Sequence, residues 1–289
     1  MPAKSQAQTL LEKADKKATS TGGWFSSANS KFEEAGDLYQ QAANAFKLEK
    51  QFKESGDAFA REAECREKCK ETLDAGNAWW NAAKAYKRGY PELAIQALQQ
   101  TISHLAAGGR FRQAADREKE IAQIYLQETS DLSRACDSFL RAGDWYAEED
   151  ATATANQCYK DAADLYAELD KFPQAVTLYE RVANHSLTSN LTKYSVKEYW
   201  LKALLCILAM GDTVTAGRSE QKYIGQDNTF SATREYKFAS ALRESIEHGD
   251  VGEYTAAVVE FDRITKLDNW KTSILLKIKK SIQEEPGLT

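Results

Sequence analysis

The residues of this 289-residue chain that could do chemistry are scattered rather than convergent. Cys65 and Cys69 could share one helix face, as a soft metal would require, but no CxxC pair supports them and the three histidines lie apart at 104, 185 and 248. The five cysteines therefore read as buried or idle thiols, and no metal is expected. Glu33-Glu34 and Glu148-Glu149 bring carboxylates together but read as solvated helix faces. Gly108-Gly109-Arg110 would cradle a phosphate only after a strand, and without one it reads as a turn between helices. No Walker-type loop, nucleophile elbow, zinc-protease pair or calcium loop occurs. The sequence predicts no enzyme and no cofactor.

One segment departs from the rest of the chain. In Thr19 to Ser30, small flexible residues flank Trp24 and Phe25, with nothing at i+3 or i+4 to extend a core stripe. Two readings fit the residues. The pair could tuck beneath the first helical hairpin, or form a loop tip that enters a bilayer interface. Trp and Phe suit that depth, and Lys13, Lys16, Lys17 and Lys31 would favour anionic lipid.

The elements that must position these residues follow a beat. Ala35-Gly36-Asp37-Leu38-Tyr39 recurs as Ser55-Gly56-Asp57-Ala58-Phe59 and Ala75-Gly76-Asn77-Ala78-Trp79. Positions equivalent to Gly36 fall at Gly56, Gly76, Ile95, Ala115, Cys136, Asn156, Val176 and Val196, at intervals of 19 to 21 residues. Tyr39 and Phe46 stand seven apart, as do Trp79 with Tyr86, Phe139 with Tyr146 and Tyr159 with Tyr166, so each pair occupies one helical stripe. A lone helix cannot bury such a stripe, and neighbours must stack. Glycine inside a helix costs roughly 1 kcal/mol relative to Ala, so Gly36, Gly56, Gly76 and Gly143 point to tight helix crossings. The turns are expected at Glu49-Lys50-Gln51, Gly89-Tyr90-Pro91, Gly108-Gly109 and Leu169 to Pro173. Two helices and two turns make about forty residues, a little more than the roughly 34 of a tetratricopeptide unit. The fold class is all-α, a tetratricopeptide-like right-handed solenoid of antiparallel helix pairs.

Composition agrees: 43% apolar and 28% charged residues with four prolines suit a nearly continuous run of helices. No stretch of 18 uncharged apolar residues occurs, and Ala203 to Met210 is a core helix segment too short to span a bilayer. The N-terminus carries no apolar signal core, which predicts a cytosolic protein. The net charge of −5 weighs against nucleic acid as main partner. Its distribution is uneven: residues 1–31 hold five Lys against two acidic groups, and residues 240–268 hold seven acidic groups against three basic ones. A basic entrance and an acidic far end suggest different partners.

In their order and spacing, Tyr39-x-x-Ala-Ala-Asn-Ala-Phe-Lys47, Gly109-Arg-Phe111, Lys193-Tyr-Ser-x-Lys197, Leu267-Asp-x-Trp270, Leu275-Leu-x-Ile-Lys-Lys280 and Ile282-Gln283 resemble the alpha-type soluble NSF attachment proteins (alpha-SNAP), yeast and fungal forms included. The resemblance implies a twisted sheet of antiparallel helices followed by a small C-terminal helical bundle. It divides the chain into an N-terminal helix and loop (1–31), a repeat array (32–225) and a terminal bundle with its tail (226–289), with the beat breaking near Gly211 to Asp227.

The resemblance also implies an adaptor that coats the four-helix SNARE bundle of syntaxin-like, synaptobrevin-like and SNAP-25-like chains. It recruits the hexameric AAA+ ATPase NSF, which pulls the bundle apart. Such a protein is a monomer when free, acts in several copies per bundle, and sits peripherally on the cytosolic face of membranes. Residue by residue, the loop of Trp24 and Phe25 matches a membrane-attachment loop. Lys87, Arg88, Arg110, Lys160, Lys197 and Arg234 match basic positions that face the SNARE bundle. Asp212, Glu244 and Glu247 match carboxylates that meet NSF, and Leu288 matches the residue that stimulates ATP hydrolysis. The match has departures: Asp116 and Gln157 stand where lysine is common, with Arg112, Arg117 and Lys160 near, and His248 stands where an acid is usual. The rival expectation is a general tetratricopeptide-like scaffold that binds peptide tails.

Overall fold

A computed structural model describes residues 5–20 and 28–284. The described residues form helices joined by short turns and contain no strand. They are α1 (Gln6–Thr19), α2 (Ala28–Leu48), α3 (Phe52–Lys68), α4 (Thr72–Tyr86), α5 (Pro91–Ala107), α6 (Phe111–Ile124), α7 (Leu132–Glu148), α8 (Thr152–Glu168), α9 (Phe172–Leu187), α10 (Val196–Ala209), α11 (Thr213–Gln226), α12 (Arg234–His248), α13 (Val251–Ile264) and α14 (Asn269–Glu284). The all-α class stands, and the beat maps onto it with little slack. Gly56, Gly76, Ile95, Ala115, Cys136, Asn156 and Val176 are each the fifth residue of their helix, from α3 to α9.

The turns repeat as faithfully as the helices. A residue in the left-handed region follows each helix from α2 to α8, at Lys50, Lys70, Gly89, Gly109, Ser130, Asp150 and Asp170. After α3, the Lys70 N–H donates to the Glu67 carbonyl and the Glu71 N–H to the Arg66 carbonyl, each at 2.9 Å. The same nested pair ends α2, α5, α7 and α8. It satisfies carbonyls that a helix end would otherwise orphan and reverses the chain within three residues, so consecutive helices run antiparallel.

The chain divides into two compact units, residues 1–155 and 156–289. In the first, α1 to α7 pack each on the next in sequence, as a solenoid does. Alanines at 35, 42, 43, 58, 63, 75, 82, 83, 94, 114, 115, 122, 135 and 142 are buried and let the helices close up. A Cβ on Gly56 would stand 2.4 Å from the Tyr86 ring, so the glycine is the space that ring occupies. Tyr hydroxyls then bind carboxylates on the preceding helix. Tyr39 donates to Asp15 (2.6 Å), Tyr86 to Asp57 (2.8 Å) and Tyr146 to Asp116. A second polar strap joins α6 to α7, where Arg141 grips buried Glu118 through Nε and Nη2 at 2.9 and 3.1 Å.

In the second unit the regular order gives way. The connection from Leu187 to Val196 contains a 3-10 turn over Lys193–Ser195, so Val196 begins α10 instead of holding a fifth position. The beat thus ends at α9, earlier than expected, and most of the stretch from Gly211 to Asp227 forms α11. Asp212 caps that helix by accepting from the Thr215 N–H at 2.8 Å, and Ala216, Ser219, Glu220 and Tyr223 form its buried stripe. Helix α10 is buried from Trp200 to Leu208 and touches α9, α11, α12 and α14, helices on both sides of residue 225. Trp200 stacks on Tyr223 (ring centroids 5.1 Å) and meets Phe230 edge-on, while Phe238 stacks on Phe261 at 4.2 Å. Asp164 ties α8 to its neighbours, accepting from Tyr179 (2.5 Å), the buried Lys202 (2.6 Å) and Lys160 (2.9 Å). The motif residue Trp270 donates from Nε1 to the Asp164 carbonyl at 3.3 Å and lies under Lys202. Four of the five cysteines are buried, Cys69 is half-buried, and all are free thiols.

Glu62 is the weak point of this polar scaffold. It is buried on α3 with one oxygen bound by Gln40 Nε2 at 2.9 Å, the other without a partner, and Arg66 no nearer than 4.0 Å. Burial pushes its carboxyl up to about 7, against the smaller opposing pull of Arg66 and Gln40. A carboxyl held protonated by the fold stabilises fully below the unfolded value of 4.5 and loses that stabilisation as pH rises through 7. Glu62→Gln should remove this slope. Urea unfolding of variant and wild type should show their stability difference moving in the variant's favour by up to about 3 kcal/mol between pH 4.5 and pH 8. A difference that does not change with pH would contradict it.

Candidate partner-binding surfaces

The first unit carries a concentrated basic patch. Lys87, at the C-terminal end of α4, reaches Glu120 on α6 at 2.8 Å, and Arg117 reaches the same carboxylate at 3.1 Å. The Trp80 ring carries two cations, Lys84 Nζ at 4.0 Å and the Arg117 guanidinium at 4.4 Å from its centroid. Burial and then the like charges of Lys47 and Arg117 hold the Lys84 ammonium below the ordinary lysine range. Arg88 is exposed and lies over the Phe52 ring at 5.4 Å. Arg110, exposed just before α6, borders a cleft of about 400 Å³ shared with Trp80, His104, Asp116 and Arg117. Lys87, Arg88 and Arg110 thus fall in one unit, and the structure adds Lys47 and Lys84 and brings Arg117 beside them. The added two were not legible as part of a patch because they lie on different helices, and only folding makes them neighbours.

The second unit holds Lys160, Lys197 and Arg234 in different circumstances. Lys160 is half-buried and committed to Asp164 at 2.9 Å. Burial would lower its ammonium, but Asp164 outweighs that and holds it above the ordinary range. Lys197 is exposed and pairs with Glu235 on α12 at 3.1 Å. Beside it, in the connection before α10, Leu191 and Tyr194 are 92% and 84% exposed. Tyr194 shares a cleft with Lys193 and Lys197, and its exposure and that of Leu191 were not legible in the sequence. Arg234 is exposed, hydrogen-bonded to the Thr265 hydroxyl, and lies over the Phe261 ring.

The two departures from the basic pattern differ in their surroundings. Asp116 is the acceptor of the buried Tyr146 hydroxyl, a place a lysine could not fill. Gln157 donates to Asp161 at 2.7 Å, one turn along α8.

The acidic positions lie on α11 and α12 of the second unit. Asp212 is exposed at the N-terminus of α11, and the hydroxyl and N–H of Thr215 hold its carboxyl below the ordinary range. Glu244 and Glu247 are exposed on α12. Arg243 donates to both oxygens of Glu247 at 3.0 Å and, on its other side, to both oxygens of the buried Glu220 at 3.3 Å. His248 pairs with Glu253 through Nδ1 at 3.2 Å. Trp24, Phe25 and Leu288 lie outside the described residues. No group of His, Cys, Asp and Glu fit for a metal occurs among the described residues, and no helix there is long and apolar enough to cross a membrane.

A family model described as "Soluble NSF attachment protein, SNAP" matches residues 5–283. The chain belongs to the soluble NSF attachment protein family. It is 86% identical over 289 residues to the vesicular-fusion protein SEC17 of Coprinopsis cinerea, covering the whole of both chains. Identity to the probable vesicular-fusion protein sec17 homolog of Schizosaccharomyces pombe is 40%, over 97% of this chain and 98% of that one. To the human alpha-soluble NSF attachment protein it is 35%, over 96% and 95%. Membership extends over the array and the acidic helices alike, so a SNAP-family chain here carries aspartate at 116 as part of its fold.

Asp116→Lys should therefore weaken the protein while adding positive charge. Leaving the Tyr146 hydroxyl without its acceptor should cost about 1–2 kcal/mol in chemical unfolding, and Tyr146→Phe in the same chain should recover most of it. If Asp116→Lys leaves stability unchanged, the bond has no structural weight.

Proposed function

We propose that this chain is an adaptor of vesicle fusion, without enzymatic activity of its own, that binds assembled SNARE bundles, brings the NSF ATPase to them and stimulates its ATP hydrolysis so that the bundles come apart. The observation that carries the reading is the family match over residues 5–283 together with 86% identity to a vesicular-fusion protein over the full chain. The charge layout supports the details. The basic set of Lys87, Arg88, Arg110, Lys160, Lys197 and Arg234, reinforced by Lys47, Lys84 and Arg117, faces the acidic surface of the bundle. Many screened contacts of about 0–1 kcal/mol each can sum without a deep pocket. Leu191 and Tyr194 add apolar contact beside Lys197.

Asp212, Glu244 and Glu247 meet basic patches of NSF, and Leu288 stimulates hydrolysis. Trp24 and Phe25 attach the protein reversibly to the cytosolic face of membranes, helped by the lysines around them. The free protein is a monomer, and several copies coat one bundle. The organisation is threefold, with attachment at residues 1–31, a basic array over 32–225 and an NSF-facing end over 226–289.

The reading is tested with purified NSF, ATP and assembled SNARE bundle, soluble or in liposomes. Disassembly should require this chain. Trp24→Ser with Phe25→Ser should slow it only on liposomes, and Leu288→Ala should spare complex assembly but lower stimulated ATP hydrolysis. Disassembly that proceeds equally well without the chain would sink the adaptor role, and tight binding to extended peptide tails instead would favour a general scaffold.

A further inference from the structure

The acidic set is divided between two helices, Asp212 on α11 and Glu244 with Glu247 on α12, and a single arginine joins them. Arg243 reaches α11 through Nε, 3.3 Å from each oxygen of Glu220, which is only 2% exposed. On α12 its Nη1 lies 3.0 Å from each oxygen of Glu247, and its Nη2 lies 3.7 Å from Glu244. Gly217 on α11 borders the path of the side chain, since a Cβ there would stand 3.8 Å from Arg243 Cδ.

The anchor has a counterpart in the array. Glu118 and Arg141 are separated by 23 residues, as are Glu220 and Arg243, and they too join a buried glutamate to the following helix. Arg141 also donates from Nη2 to the Ser138 hydroxyl at 2.9 Å. Arg243 turns its outer donors to exposed carboxylates, so the same strap here also orders a surface.

We propose that Arg243 is a positioning residue of the acidic surface: anchored on Glu220, it fixes the side chain of Glu247 and the spacing of α12 from the helix that bears Asp212, beside Glu244, whose own hydrogen bond comes from the Ser240 hydroxyl at 3.3 Å, presenting a preorganised acidic face to a basic protein partner. This rests on the reading of that face as the NSF contact. Without Arg243, Glu247 must be ordered at the moment of binding, which costs affinity. Arg243 also subtracts one negative charge from the face. Its two effects on binding a basic partner therefore have opposite signs, and this makes positioning separable from charge.

The experiment measures capture of NSF by the immobilised full-length chain over a range of salt, with unfolding midpoint and SNARE-bundle binding recorded for each variant. Arg243→Gln makes the face more negative, so charge alone predicts tighter capture, whereas positioning predicts capture weaker by about five- to tenfold. Because that variant leaves Glu220 buried without its cation, the double variant Glu220→Gln with Arg243→Gln is measured beside it. It keeps the net charge and allows a neutral amide pair between the helices. Weaker NSF capture by the double variant, with midpoint and SNARE-bundle binding retained, is the expected result. Glu247→Gln is the control for the underlying reading: if it does not weaken capture, the acidic face is not the NSF contact. If Glu247→Gln weakens capture while the double variant captures NSF as tightly as wild type, or Arg243→Gln captures it more tightly, the positioning role is overturned.

Discussion

Every helix crossing in this protein has to solve the same problem: bringing two backbones close without leaving polar groups stranded. Small residues supply the closeness, and at five places a tyrosine hydroxyl–carboxylate bond between helices closes the edge. Tyr39, Tyr86, Tyr146, Tyr179 and Tyr223 each donate to an acid on a neighbouring helix, at Asp15, Asp57, Asp116, Asp164 and Glu180. Burial and the adjoining carboxylate raise each of the phenols for which a shift is resolved, so these hydroxyls remain donors throughout the physiological range. The aromatic body fills the groove that Gly or Ala leaves open, as Tyr86 does over Gly56, and the hydroxyl sets its orientation. A purely apolar stripe would slide by a turn at little cost, whereas a buried hydrogen bond loses its partner when it slides.

That device settles which charges are available for binding. Asp116 and Asp164 are acids of the scaffold, and the second draws Lys160 and Lys202 to itself. Lys160 therefore offers a partner only part of its charge, as does Arg117 in its pair with Glu120, while Lys84 is crowded by the like charges of Lys47 and Arg117. A crowded cation gains when an acidic partner arrives, since that relieves repulsion already present. Counting lysines along the sequence does not separate these two kinds.

Much of the architecture was legible because it is periodic. The interval of 19 to 21 residues and the seven-residue aromatic spacing locate α3 to α9 with each reference position fifth in its helix. The turns at Lys50 and Asp170 fall where they were expected, but those at Lys70, Ser130 and Asp150 were less legible, since the left-handed position that ends a helix usually calls for glycine. The polar bonds were not legible at all. The tyrosines lie 24, 29, 30, 15 and 43 residues from their acids, a scatter that reflects which helix happens to be adjacent. The beat failed at Val196 for a related reason: α10 is buried against four helices, so its sequence is apolar nearly all round and has no stripe to read.

The acidic end shows why the candidate sites were harder to read than the fold. Glu220, Glu244 and Glu247 are three glutamates of one sequence neighbourhood, and nothing in their spacing says that the first is buried and the others exposed. Arg243 looks like an ordinary cation within an acidic stretch, to be cancelled against its neighbours. Its meaning depends on depth. Burial raises the Glu220 carboxyl while Arg243 pulls it back, so the guanidinium is held from below and its outer donors become a fixed template for the surface above. A charge anchored from beneath differs from a charge paired at the surface, where both partners can turn to water and the pair is worth little. The acidic face then owes its shape to a residue of the opposite sign, because a cluster of like charges cannot order itself.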